Sequence, residues 1–188
     1  MASILVNAGY RVAPQQPAEE MLHEWSMRNF KTLIKFCRKY DAFQDVPFSF
    51  DYTFQALDIA FPNAKFILTV RDSTSQWYES TVRFHTKRLG LDATPTAQQL
   101  KDDPGVWKGW VWEAFKANYG VSESAPFDEG VLTRHYEEYN RRVCKYFENR
   151  SKDFLKINLS DSDASNRLSS FLNISPQKIS ILHLNKST

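Results

Sequence analysis

The chain has 188 residues, 42% hydrophobic and 14% aromatic. That is too apolar for a disordered polymer and long enough for one domain with a real core. Its net charge of +2 is too mild to demand nucleic acid or an anionic membrane as partner.

Cys37 and Cys144 are the two cysteines. They imply no disulfide framework, and a reducing, cytoplasmic compartment is the default expectation. No uninterrupted apolar run is long enough to cross a bilayer, so no stable membrane insertion is expected. The apolar start Ala2–Ala8 lacks a basic leader and makes a poor signal peptide.

Ala2–Val12 reads as a strand, or as a helix end that breaks at Gly9 before a short strand Tyr10–Val12. Pro14–Pro17 is a loop. Ala18–Tyr40 is then expected to be one helix, because Met21, Leu22, Trp25, Phe30, Leu33, Ile34 and Cys37 recur at threes and fours. Glu19 and Glu20 suit its start and Arg38 and Lys39 its end, by the helix dipole. His23 reads as a solvated helix residue. Ala42–Val46 reads as a short strand with Asp45 at its end. In open α/β sheets ligands collect at the carboxyl ends of strands. Asp45 therefore has a chemical reading, a general base that takes a proton from a hydroxyl or amine. Its plainer reading is a turn or cap residue before Pro47. Phe48 and Phe50 are either pocket wall or core.

Asp51–Phe61 is expected to be a helix with Phe54, Leu57, Ile59 and Ala60 inward, ended by Pro62-Asn63. Lys65–Val70 is a short run of β-formers, the pattern of a strand covered on both faces. The chain then turns polar at Arg71-Asp72. Ser73 and Gln76 have capping-box spacing, so a helix begins there and carries Trp77 and Ser80. It runs to about Leu89, with Gly90 as the residue beyond its end. A cation after a strand, followed by a helix N-terminus with hydroxyls, is an anion site in outline. The plainer reading pairs Arg71 with Asp72 or a neighbour on the surface. Arg83, Lys87 and Arg88 line a basic side. His85 lies five residues past Ser80, faces elsewhere on the helix and is not chosen as the base.

Leu91–Pro126 is the least regular stretch. Trp107–Tyr119 can be helical with an aromatic stripe, which ordinarily means packing. Asp128–Arg150 is a long amphipathic helix with Leu132, Tyr136, Tyr139, Val143, Tyr146 and Phe147 on its core face and His135 exposed. Phe154–Leu159 is the last strand. Ser160–Asp163 opens a helix that buries Leu168, Phe171 and Leu172.

FPNAKFILTVRD followed by Trp77-x-x-Ser80 closely resembles the 3′-phosphate-binding segment of the PAPS-dependent sulfotransferases, PAPS being 3′-phosphoadenosine 5′-phosphosulfate. The resemblance implies an α/β fold, a P-loop-NTPase-like three-layer sandwich with a central, mostly parallel sheet flanked by helices. It favours the helix-then-strand reading of Ala2–Val12. It implies sulfuryl transfer from PAPS to a hydroxyl or amine, with no metal required. Arg71 and Ser80 would bind the donor's 3′-phosphate, and Asp45, in Asp45-Val46-Pro47, would be the catalytic base. The Arg71-to-Ser80 spacing is one residue longer than the family's common form. Residues 1–188 would form one sulfotransferase-like domain, with 91–126 a lid-like insertion over the acceptor. The family's loop for the 5′-phosphosulfate would lie before Met1, so the expected form is either N-terminally truncated or unable to hold the sulfuryl donor in the family's usual way. Asn158 or Leu159 stands where relatives often place a Tyr near the adenine, and Lys186 is a further cation in the tail. Expected partners are a small-molecule, glycan or lipid acceptor and no nucleic acid, with a homodimer left open. Two other classes remain: a catalytically inactive sulfotransferase-like nucleotide-binding module, and another P-loop-type transferase or kinase relative.

Overall fold

The computed structural model describes residues 1–175. The described residues form two compact units: residues 1–71 with 144–175, and residues 72–143. The first unit is α/β. It opens with α1 (Ala2–Asn7), and Gly9 at φ 95° turns the chain. Only a residue without Cβ takes that backbone readily. Val12 then makes an isolated parallel bridge to Ala42, where two short strands are expected from the sequence. Asp45 ends the extended path, with φ at 60°, and Pro47 has no N–H to extend a ladder.

The single helix expected over Ala18–Tyr40 is instead three: α2 (Gln15–Glu19), α3 (Leu22–Ser26) and α4 (Lys31–Cys37). The break after α3 is a Schellman-type turn. The N–H of Arg28 reaches the Trp25 carbonyl at 2.8 Å, and the N–H of Asn29 reaches that of Glu24 at 2.8 Å. Arg28 holds φ at 57° there, a position where glycine is usual. The apolar periodicity survives the breaks, because Ala18, Met21, Leu33, Cys37 and Leu57 share one core cluster.

α5 (Thr53–Ala60) buries Thr53, Phe54, Leu57 and Asp58. Ile59, expected inward, is 79% exposed. It lies two residues past Leu57, roughly 200° round the helix. Asp58 takes the inward place because Arg150 grips its carboxylate with both ends of the fork, at 2.6 and 2.7 Å, and the Tyr146 hydroxyl donates to it at 2.7 Å.

β1 (Phe66–Val70) and β2 (Phe154–Asn158) form a parallel pair in register from Phe66↔Phe154 to Val70↔Asn158. β1 is half-buried and Thr69 is exposed, short of the cover on both faces that its composition suggests. The reason is that, among the described residues, its sheet has two strands. Behind β2 lies α10 (Ala164–Leu172). Ile4, Ile157, Ala164 and Leu168 form a second core cluster there. Phe171 and Leu172 are half-buried rather than buried.

The second unit is helical. α6 (Thr74–Arg88) ends as expected at Leu89, with Gly90 at φ 65°. α7 (Ala97–Asp102) opens with a complete capping box between Thr96 and Gln99. α8 (Trp110–Tyr119) starts three residues later than the expected helix and buries Trp110, Val111, Trp112, Ala114 and Phe115. Arg88 does not sit on a free basic side. It makes a close ion pair with Asp103, whose side chain is 4% exposed. α9 (Glu129–Tyr146) belongs to this unit up to Val143 and buries Leu132 and Val143. His135, expected exposed, is half-buried, edge-on to Tyr119 with ring centroids 4.8 Å apart. No helix of the described residues is long and apolar enough to cross a membrane.

Candidate functional site

In the first unit, β1 carries the chain to Val70, and Arg71 is the next residue, exposed and beyond the strand's carboxyl end. β2 ends level with it, since Asn158 is the register partner of Val70. There the Asn158 side-chain oxygen accepts the Ser160 N–H at 3.0 Å, which turns the chain off the strand. A guanidinium suits an oxyanion because its planar N–H fork matches two oxygens at once.

Asp45 is held by its own loop. Its carboxylate accepts the Val46 N–H at 3.0 Å, and its carbonyl accepts the Ser49 N–H at 2.8 Å. The residue keeps solvent exposure, yet the protein crowding its carboxyl raises the pKa, and the Val46 hydrogen bond opposes that rise. A raised carboxylate is the better proton acceptor near neutral pH. The left-handed backbone at Asp45 is tolerable because Asp is among the residues that visit it.

In the second unit, Ser73 caps α6 as the spacing predicts, accepting the Gln76 N–H at 3.1 Å. The return bond differs from a capping box. The Gln76 side chain reaches Asp72 instead, accepting its N–H at 3.0 Å and donating to its carboxylate at 3.1 Å. One first-turn donor of α6 is thereby committed to Ser73. Ser80 is half-buried, in the second turn of α6. Trp77, one turn before it, stacks on Tyr136 with centroids 4.5 Å apart and planes at 14°. Thr74 donates to Glu137 at 2.8 Å, so two contacts join the start of α6 to α9.

His85 faces away from these residues, as expected from its place on the helix. It packs edge-on to Phe84 and Phe115 and tilted to Phe127. Burial, followed by the nearby Arg88, lowers its pKa to about 4. At neutral pH it is an uncharged, half-buried side chain.

The structure thus places Asp45 and Arg71 in the first unit and Ser80 in the second. Lys186 lies outside the described residues. Among the described residues, no group of three or more His, Cys, Asp or Glu is placed to hold a metal ion.

A parallel strand pair flanked by helices, continued in the chain by a helical unit, defines an α/β protein. A family model described as the sulfotransferase domain matches residues 7–188, and the chain belongs to that family. No curated protein matches it.

Proposed function

We propose that this protein transfers a sulfuryl group from PAPS to a hydroxyl or amine on a small-molecule, glycan or lipid acceptor. The observation that carries the reading is the family match over residues 7–188 together with Arg71 standing one residue beyond the carboxyl end of β1. Arg71 anchors the donor's 3′-phosphate by its fork, and Ser80 adds a hydroxyl hydrogen bond to it. Asp45 receives the acceptor's proton as its oxygen or nitrogen attacks sulfur. The bond from sulfur to the bridging oxygen breaks, and 3′,5′-ADP leaves with that electron pair. Such a transfer needs positioning and charge stabilisation more than a covalent intermediate. The fold in this reading is the three-layer sandwich of P-loop-like transferases, and residues 91–126 close over the acceptor.

Calorimetric titration with 3′,5′-ADP tests the reading. Arg71→Ala is expected to weaken binding by about a hundredfold, as loss of a charge-assisted bidentate contact does. Unchanged affinity in that variant removes Arg71 from the site. Absence of binding by the parent chain, with ATP bound instead, overturns the donor assignment.

A further inference from the structure

Two positions in the first unit break local backbone rules, and the two residues touch each other. The residue after α3 is a place for glycine, and it is Arg28, at φ 57°. The N-cap of α5 is a place for Ser, Thr, Asp or Asn, and it is Tyr52, at φ 65°, with no side-chain cap bond. The Arg28 guanidinium lies 4.5 Å from the ring centroid of Tyr52 and 4.5 Å from that of Trp25. Trp25 is buried at 2% exposure, and its indole N–H is fixed on the Asp51 carbonyl at 3.0 Å. Arg28 is thus held at the surface against two rings, one of them anchored in the core.

Strained backbone persists where something else selects for the side chain. Contact with the rings does not explain why the side chain must be Arg, because glycine would relieve the strain without it. What Arg alone supplies is its in-plane N–H fork, kept in one orientation by the rings. Among the described residues that fork's hydrogen bond goes to the Trp25 carbonyl, at 3.3 Å, and no carboxylate is ion-paired with it. A pre-oriented fork in solvent is complementary to an oxyanion. Met27, the neighbour of Arg28 in the chain, is 67% exposed, and Tyr52, on whose ring the guanidinium lies, is 49% exposed. A small inorganic anion leaves that apolar surface wet, whereas a peptide covers it. Arg, Tyr and Met are also the residues enriched at protein interfaces.

We infer that Arg28, Tyr52 and Met27 form a docking spot for an acidic peptide segment of a partner protein, with a carboxylate on the Arg28 fork and an apolar side chain over Met27. This docking role does not rest on the roles assigned to Asp45, Arg71 and Ser80.

The test uses the full chain and two variants that satisfy the local backbone better. Arg28→Gly suits the turn and Tyr52→Asn suits a left-handed N-cap. Both are expected to unfold within about 2 °C of the parent, since relief of strain offsets loss of the ring contacts. The probe is a blocked peptide of alternating glutamate and leucine, followed by the NMR signals of the Arg28 Nε–H and the Met27 methyl. In the parent it is expected to shift both signals, at concentrations where a glutamine–leucine peptide, acetate and inorganic phosphate do not. Tyr52→Asn is expected to bind the peptide about tenfold more weakly, and Arg28→Gly to leave the Met27 signal unmoved. A Met27 shift that survives Arg28→Gly, no shift in the parent, or an equal response to the glutamine peptide overturns the proposal. So does an equal response to phosphate or acetate, which would make this a small-anion contact. Loss of more than about 5 °C in both variants would make the stack a structural clamp and overturn it too.

Discussion

Asp58 shows how one charged residue can hold an interior place that the apolar pattern assigned elsewhere. It is 8% exposed, and its partner Arg150 also bonds Asp153, at 2.9 Å, just before β2. The pair ties α5, which leads into β1, to the chain entering β2. That entry is also held by the Phe66 N–H on the Asp153 carbonyl at 2.7 Å. Removing one partner of a buried pair leaves the other uncompensated, at about 3–5 kcal/mol. Arg150 keeps 33% of its side chain exposed, so water would rescue part of that. Asp58→Ala is therefore expected to cost about 2–4 kcal/mol, read as a lowered urea midpoint at pH 7. The Arg150 guanidinium also holds the Asp58 carboxyl below its usual pKa. Its contribution is then full above the unfolded value near 4 and is lost as pH falls through the lower folded one. The variant's deficit should shrink in acid, and a deficit that stayed constant with pH would assign the loss to packing instead.

Among the elements, those fixed by short-range chemistry were legible in the sequence. Ser73 and Gln76 start α6 where their spacing says, and Gly90 follows its end. Ser73→Ala is expected to cost about 1 kcal/mol, seen as faster amide exchange at Gln76 and a lower unfolding midpoint. Equal exchange in the variant would show that the contacts of Thr74 and Trp77 with α9 hold the first turn unaided. The strands Phe66–Val70 and Phe154–Asn158 were readable as apolar runs, and their parallel pairing was implied by the family resemblance rather than by composition. Other features had no local signal. The breaks around α3 leave the three-and-four periodicity intact, and the turn that makes one of them is occupied by Arg rather than Gly. Ile59 and Asp58 exchange expected places because Arg150 is 92 residues away in sequence, beyond any periodicity. His135 is half-buried for a similar reason, its ring neighbour Tyr119 lying on another helix. Charge-flanked residues look solvated until a distant partner is known.

At the scale of the whole molecule, four of the five tryptophans, Trp77, Trp107, Trp110 and Trp112, lie in the second unit, and Trp25 lies in the first. Intrinsic fluorescence therefore follows chiefly the helical unit. One acid-sensitive group in it is the half-buried His85, whose Nδ1 is buried with no hydrogen-bond partner among the described residues. Its pKa falls to about 4 through burial first and the Arg88 charge second, with Asp103 opposing. An unfolded histidine titrates near 6.5, so between about pH 6.5 and 4 the unfolded chain binds the extra proton. Stability is therefore undiminished above about pH 6.5 and declines as pH falls toward 4, by up to about 3 kcal/mol from this residue. His85→Leu removes the proton site and no satisfied hydrogen bond, so at pH 7 it should match or exceed the parent. At pH 4.5 its fluorescence-detected urea midpoint should stand clearly above the parent's. Parallel decline of the two midpoints between pH 7 and 4.5 would place the acid sensitivity in carboxylates such as Asp58. A lower midpoint for His85→Leu already at pH 7 would mean that the imidazole holds the Phe84, Phe115 and Phe127 rings in place by shape.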